Sequence, residues 1–202
     1  MKDILIKELM VPLEEYVTVS DDATLAEAVA TLEEAQAEYF KDAVKSRRFP
    51  HRALLVLDKR GKVRGKLSQL DIIKALEPKY KSIFSSDSMS RMADIGLSQH
   101  FLRDMLSSYS LFDKPLRDIC KKSAAIKVKD CMYAPVDNEV VQEEETLEKA
   151  VHQLVFGRHQ SLLVTDAQNN IVGILRLVDV FEAISQAIRE CAFDSPGTDS
   201  ES

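Results

Sequence analysis

Two short stretches place an aspartate three residues after a helix start: Ser68-Gln69-Leu70-Asp71 and Arg176-Leu177-Val178-Asp179. The first follows a β-type run through Gly65, so a strand leads directly into a helix there. A carboxylate at such a turn can accept hydrogen bonds from both hydroxyls of a ribose. The serine hydroxyl and the unsatisfied backbone N–H groups of the helix N-terminus can hold a phosphate. The same Ser-x-x-Asp spacing is also a plain capping arrangement, in which each side chain satisfies the other residue's backbone. The second stretch bears on the choice, because Arg176 cannot accept a capping bond and yet Asp179 is still present. A pure capping pair has little reason to keep its aspartate, which favours ribose binding at Asp71 or Asp179. Arg176 is then either a charge-assisted contact to phosphate or a solvated surface residue.

A basic group precedes the apolar run of each half: Arg47-Arg48-Phe49-Pro50-His51-Arg52 and Arg158-His159-Gln160. Facing the aspartate turns, these groups would neutralise a di- or triphosphate; otherwise they are solvated charge. None of His51, His100, His152 and His159 sits beside a nucleophile motif or a paired carboxylate, and they do not have metal-ligand spacing. No catalysis and no metal site are expected.

The elements that must position these residues occur twice. Lys7-Glu8-Leu9-Met10 and Thr24-Leu25-x-x-Ala28-Val29-x-x-Leu32 recur 122 residues later as Lys129-Asp130-Cys131-Met132 and Thr146-Leu147-x-x-Ala150-Val151-x-x-Leu154. Asp58-x-x-Gly61-x-x-x-Gly65-x-Leu67-x-x-x-Asp71 recurs 108 residues later as Asp166-x-x-Asn169-x-x-x-Gly173-x-Leu175-x-x-x-Asp179, so the first copy carries 14 extra residues between Leu32 and Asp58. Each copy reads strand, helix, strand, strand, helix. Acidic clusters, Asp21-Asp22 and Glu143-Glu144-Glu145, precede the first helix of each copy and suit its N-terminus. Leu147, Ala150, Val151, Leu154 and Val155 make one apolar stripe that Gly157 stops, and Val178, Val180, Phe181 and Ile184 are expected to enter the core from the last helix. In the first copy the stripe continues through Tyr39, Phe40, Ala43 and Val44 to about Ser46, a helix that either lies over its own domain or docks a partner. A copy of about 55 residues is small for a durable core, so the pair is expected to be the folding unit. The expected divisions are a first repeat over 1–78, a helical connecting segment over 79–126 with a helix near Gln99 to Leu111, a second repeat over 127–190 and a disordered tail over 191–202.

Composition agrees with an ordinary globular chain: 202 residues, 45% apolar and 30% charged. The net charge of −6 opposes loose attraction to nucleic acid or anionic membrane. Charges at positions 2, 3, 7 and 8 leave no signal-peptide core, and no apolar run is long enough to span a bilayer, so a cytoplasmic location is expected. Cys120, Cys131 and Cys191 fit neither a disulfide framework nor a zinc site; all three are read as reduced and two as core.

The tandem order, with Lys-x-x-Met at each start, Asp-x-x-Gly-x-x-x-Gly across the first hairpin and an aspartate on each final helix, resembles the cystathionine-β-synthase (CBS) domain pair, or Bateman module. The resemblance implies a mixed α/β (α+β) fold of two β-α-β-β-α repeats related by pseudo-two-fold symmetry. It implies a non-catalytic regulatory module, commonly a homodimer, that binds AMP, ADP, ATP or S-adenosylmethionine in clefts between the repeats and signals to a protein partner. The family's phosphate- and ribose-holding residues correspond to Ser68 and Asp71. In the second copy only Asp179 matches, and Arg176 departs from the pattern. Residues before the core strand help enclose the ligand in the family, which points to His51, Arg52, Ala53 and Leu54 in one copy and His159, Gln160, Ser161 and Leu162 in the other. Leu55 and Leu163 replace the proline common in that strand, so base specificity stays open. The alternative is a ligand-independent dimerisation and protein-interaction module.

Overall fold

The computed structural model describes residues 3–42, 50–77, 79–80 and 116–193. The expected continuation of the first helix over 43–46, the Arg47-Arg48-Phe49 run, the helix near Gln99 to Leu111, His100 and the tail over 194–202 lie outside the described residues, as does the Cys120 side chain.

In chain order the elements are β1 (Val11–Pro12), β2 (Thr18–Ser20), α1 (Leu25–Asp42), β3 (Ala53–Leu57), β4 (Val63–Ser68), α2 (Gln69–Leu76), α3 (Leu116–Ala125), α4 (Val128–Cys131), β5 (Val140–Gln142), α5 (Leu147–Gly157), β6 (Ser161–Thr165), β7 (Ile171–Arg176) and α6 (Leu177–Phe193). They fall into two compact units. One holds 17–42, 50–77, 79–80 and 116–134 around a sheet ordered β2-β3-β4; the other holds 3–16 and 135–193 around β1-β7-β6-β5. This is the mixed α/β architecture expected from the repeats.

The repeat is legible position by position in the two cores. Val19, Leu25, Ala28, Leu32, Leu54, Val56, Leu67, Ile72 and Val128 form one cluster. Val141, Leu147, Ala150, Leu154, Leu162, Val164, Leu175, Val180 and Ile6 form the other, matching it residue for residue at the two offsets. The last member of each list is displaced. Ile6, at the start of the first copy, is fully buried in the core of the second, and Val128, at the start of the second, is fully buried in the core of the first. Each unit is thus closed by the lead segment of the other copy. Backbone bonds fix this exchange: Ile6 N–H to Glu145 C=O at 3.0 Å and Val128 N–H to Ala23 C=O at 2.9 Å.

The conspicuous short patterns acquire causes. Lys7 pairs with Glu144 at 2.9 Å, and its counterpart Lys129 pairs with Asp22 at 2.9 Å, so the lysine of Lys-x-x-Met ties each lead segment to its adopted unit. Gly65 and Gly173 lie against the lead segments' backbone; a Cβ on either would come within 2.3 Å of the Tyr133 carbonyl oxygen or 2.6 Å of that of Val11. In the hairpins, Asp58 Oδ1 accepts from the N–H groups of Arg60 and Lys62 and Asp166 Oδ1 from those of Gln168 and Asn170, all at 2.8–2.9 Å. Gly61 (φ 77°) and Asn169 (φ 61°) supply the left-handed turn residue.

Some expectations need correction. The acidic cluster of the first copy serves the lead segment more than the helix: Asp22 is held by Lys129 and Lys59, and α1 is capped by Thr24 and Glu27 reciprocally. Phe40, Val155 and Phe181 are 67%, 66% and 65% exposed, so the stripes of α1, α5 and α6 are narrower than their apolar content. Cys191 is exposed, so it is no core cysteine, while half-buried Cys131 packs against the edge of the first core. The 18 residues of α1, about 27 Å long, pack against α3 within their own unit, which favours the first of the two readings of this helix.

Candidate functional site

In both units the residues singled out before the core strand and those at the strand-to-helix turn are brought together by one hairpin. Ala53 lies opposite Ser68 across β3 and β4, and Ser161 opposite Arg176 across β6 and β7. One residue on, Gln69 N–H donates to Arg52 C=O at 3.2 Å and Leu177 N–H to Gln160 C=O at 2.9 Å. Strand alternation sends Leu54, Val56 and Leu67 into one core and Leu162, Val164 and Leu175 into the other. The opposite sheet face therefore carries Ala53, Leu55, Lys66 and Ser68 in one unit and Ser161, Leu163, Ile174 and Arg176 in the other. Leu54 and Leu162, both fully buried, have their side chains committed to the cores and offer a ligand only backbone.

At the first turn the capping reading is realised. Ser68 Oγ accepts from Asp71 N–H at 3.2 Å, while Asp71 Oδ2 accepts from Ser68 N–H at 3.0 Å and from its hydroxyl at 2.5 Å. Capping uses one carboxylate oxygen; Oδ1 has no protein partner among the described residues. The turn is therefore rigid and still has an acceptor to offer. Beside it, Lys66 exchanges two backbone bonds with Tyr133, at 3.0 and 2.8 Å, and its ammonium stands 5.5 Å from that ring's centre. Arg52 is exposed, and half-buried His51 accepts from Gln36 Nε2 at 2.8 Å through its carbonyl.

The second turn is built differently, and it removes an argument made from sequence. Arg176 Nε and one terminal nitrogen donate to the two oxygens of Asp179, each at 2.6 Å. The aspartate thus has a structural reason to be there without any ribose. Arg176 is no solvated surface residue: its side chain is 9% exposed, and that of Asp179 16%. Tyr16, 6% exposed, follows the turn Leu13–Glu15 that packs on β7. Burial pushes its phenol up to about 12, with the Arg176 charge acting downward and Asp179 upward.

His159 is likewise engaged by a carboxylate. Its Nδ1 stands 3.2 Å from Oε1 of buried Glu139, and its ring lies so close over Gly157 that a Cβ there would fall 2.0 Å from Nε2. Arg158, in the left-handed conformation that ends α5, and Gln160 are exposed. Tyr16, Lys66, Tyr133 and Glu139 are the neighbours that sequence reasoning missed. For Tyr16 the repeat gives no signal, because its counterpart is Asn138. Among the described residues no group of three His, Cys, Asp or Glu side chains is placed to hold a metal ion, and no helix is long and apolar enough to cross a membrane.

The CBS-domain family model matches residues 6–78 and 128–186, the two copies with their lead segments. The chain belongs to the CBS-domain family. Solved structures of CBS proteins share its fold. The CBS-pair protein CBSX2 from Arabidopsis thaliana is 19% identical, with a TM-score of 0.56 over 92% of this chain and 97% of that one. CBSX2 in complex with AMP is 20% identical at a TM-score of 0.54, covering 92% and 99% of the two chains. The CBS domain of a bacterial CNNM/CorC family Mg2+ transporter in complex with ATP is 15% identical at 0.55, covering 91% and 89%. A comparison with curated protein sequences gives no match.

Proposed function

We propose that this CBS-domain protein is a regulatory module that binds an adenosine compound at its strand-to-helix turns and passes the resulting change in packing to a protein partner. AMP, ADP, ATP and S-adenosylmethionine are the candidate ligands. The observation that carries the reading is the Ser68–Asp71 turn, where a capped helix N-terminus and an available carboxylate oxygen lie beside the Arg52–Ala53 strand start. Ribose hydroxyls suit the open Oδ1, and phosphate suits the helix N-terminus. The complexes of fold relatives with AMP and ATP support the ligand class. A bound ligand regulates only through differential affinity for two states of the module.

Thermal denaturation tests this. An adenosine ligand at 100 times its Kd adds about 2.7 kcal/mol of stability, or roughly 5–10 °C for a chain of this size. Asp71→Ala also weakens the cap, lowering the ligand-free midpoint, so the decisive quantity is the ligand-induced rise, expected to fall by more than half. No rise with AMP, ATP or S-adenosylmethionine refutes the proposal.

A second reading, self-association independent of ligand, is favoured by the helices that follow the turns. Leu70 and Ile73 on α2 are 59% and 52% exposed, and Phe181 and Ile188 on α6 are 65% and 63% exposed. Sedimentation of the ligand-free protein as a dimer, unchanged by nucleotide, supports that version.

A further inference from the structure

The two hairpins share a backbone and differ in charge. The first carries Lys59, Arg60, Lys62, Arg64 and Lys66, whereas the matching positions of the second hold Ala167, Gln168, Asn170, Val172 and Ile174. Both keep the same register, with the same irregularity after Val56 and after Val164, and both have an aspartate-held turn. The fold therefore does not require the cations. Lys59, Arg60, Lys62 and Arg64 are all exposed. Lys59 pairs with Asp22 and still leaves 82% of its side chain in solvent, while Arg60, Lys62 and Arg64 make no side-chain ion pair among the described residues. Protection of a sheet edge explains part of this pattern, because β4 is the last strand of its sheet and charge on such a strand opposes pairing with another chain. Lys59, Arg60 and Lys62 precede β4, on the turn itself, where there is no edge to protect.

Resting on the reading above only for there being a protein partner, we propose that this hairpin tip docks an acidic segment of that partner, whose carboxylates pair with Lys59, Arg60, Lys62 and Arg64. Arginine forks suit carboxylates in two-point contacts, and four cations in six consecutive residues match a short run of Asp and Glu. A compact phosphate fits less well, since the cleft lined by Lys59 and Arg60 also holds the carboxylates of Asp21, Asp22 and Asp58. Nucleic acid or an anionic membrane extends past the hairpin and meets a chain whose net charge is −6. A short acidic segment ends before that repulsion begins.

Fluorescence anisotropy of a labelled oligoglutamate titrated with the full chain tests this. The peptide binds, and binding weakens as salt is raised. Lys59→Ala, Arg60→Gln and Lys62→Asn together give the first tip the residues of the second and weaken binding by about tenfold or more. If that variant folds poorly, the reverse exchange keeps the test alive: Ala167→Lys, Gln168→Arg and Asn170→Lys build the patch on the second hairpin and strengthen binding. A wild type that ignores the peptide overturns the proposal, as does a folded triple variant that binds it equally well. Tighter binding of single-stranded RNA or of phosphatidylserine vesicles, lost in the same variant, also overturns it. A triple variant that self-associates and keeps its peptide affinity marks the cations as edge protection and has the same effect. The nucleotide-induced rise in melting midpoint is read on the same samples; its absence sinks the regulatory reading, while the peptide titration alone decides the docking surface.

Discussion

At the scale of single residues, one clear electrostatic feature is an exposed one. Lys129 and Lys59 both hydrogen-bond Asp22 and hold its carboxyl down at about 2, against 3.8 for a free aspartate. A depressed carboxylate stabilises the fold above its unfolded value, and that contribution is lost as pH falls through the folded one. The window is therefore from about pH 4 down to about pH 2. Carbon-detected NMR of the Asp22 carboxyl should show the low midpoint, and Lys129→Met should move it upward; a midpoint unchanged in the variant contradicts the assignment. Tyr16 has the opposite sense. Its neutral phenol is favoured by burial, so the fold loses stability as pH rises from 10 to about 12. Absorbance at the phenolate band should show one tyrosine ionising late, and Tyr16→Phe should delete that step.

At the scale of elements, the hairpin joins strand start and turn, and its glycines have unlike reasons. Gly173 lies under the backbone of β1, so Gly173→Ala must push a carbonyl aside and is expected to cost about 1–3 kcal/mol, read from urea midpoints. Gly61 has open space around it and needs only its left-handed φ, which Asn169 adopts in the other unit. Gly61→Asn should therefore cost less than about 1 kcal/mol, since asparagine tolerates that conformation. If Gly61→Asn proves the costlier of the two, the close-approach argument is wrong. His159 and Gly157 form a similar pair, in which a missing side chain admits the ring that reaches Glu139.

At the scale of the whole molecule, the exchange of lead segments means that linear copies and compact units are different divisions of the chain. Ile6 belongs by sequence to the first copy and by packing to the second core. Ile6→Ala removes a fully buried side chain and should cost about 2–5 kcal/mol. Hydrogen exchange locates the damage: protection should fall over β6 and β7 more than over β3 and β4. The reverse pattern places Ile6 in the wrong core.

Two offsets, 122 and 108, already specified the repeated part of the fold: where the two main helices of each copy start, where each hairpin turns, and which positions of the two copies correspond. These follow from local rules, since helical and strand periodicity and turn chemistry act over a few neighbouring residues. The bringing together of strand start and turn was legible for the same reason, because one hairpin joins them. Only the tertiary structure decided that Ile6 and Val128 serve opposite cores, that Tyr16 stands against the second turn, and that His159 spends its ring on Glu139. It also supplied the capping box of Ser68 and Asp71 at the first turn and the pairing of Asp179 with Arg176 at the second. Contacts between residues far apart in the chain depend on which surfaces meet and how fully water is excluded, and no periodicity records either.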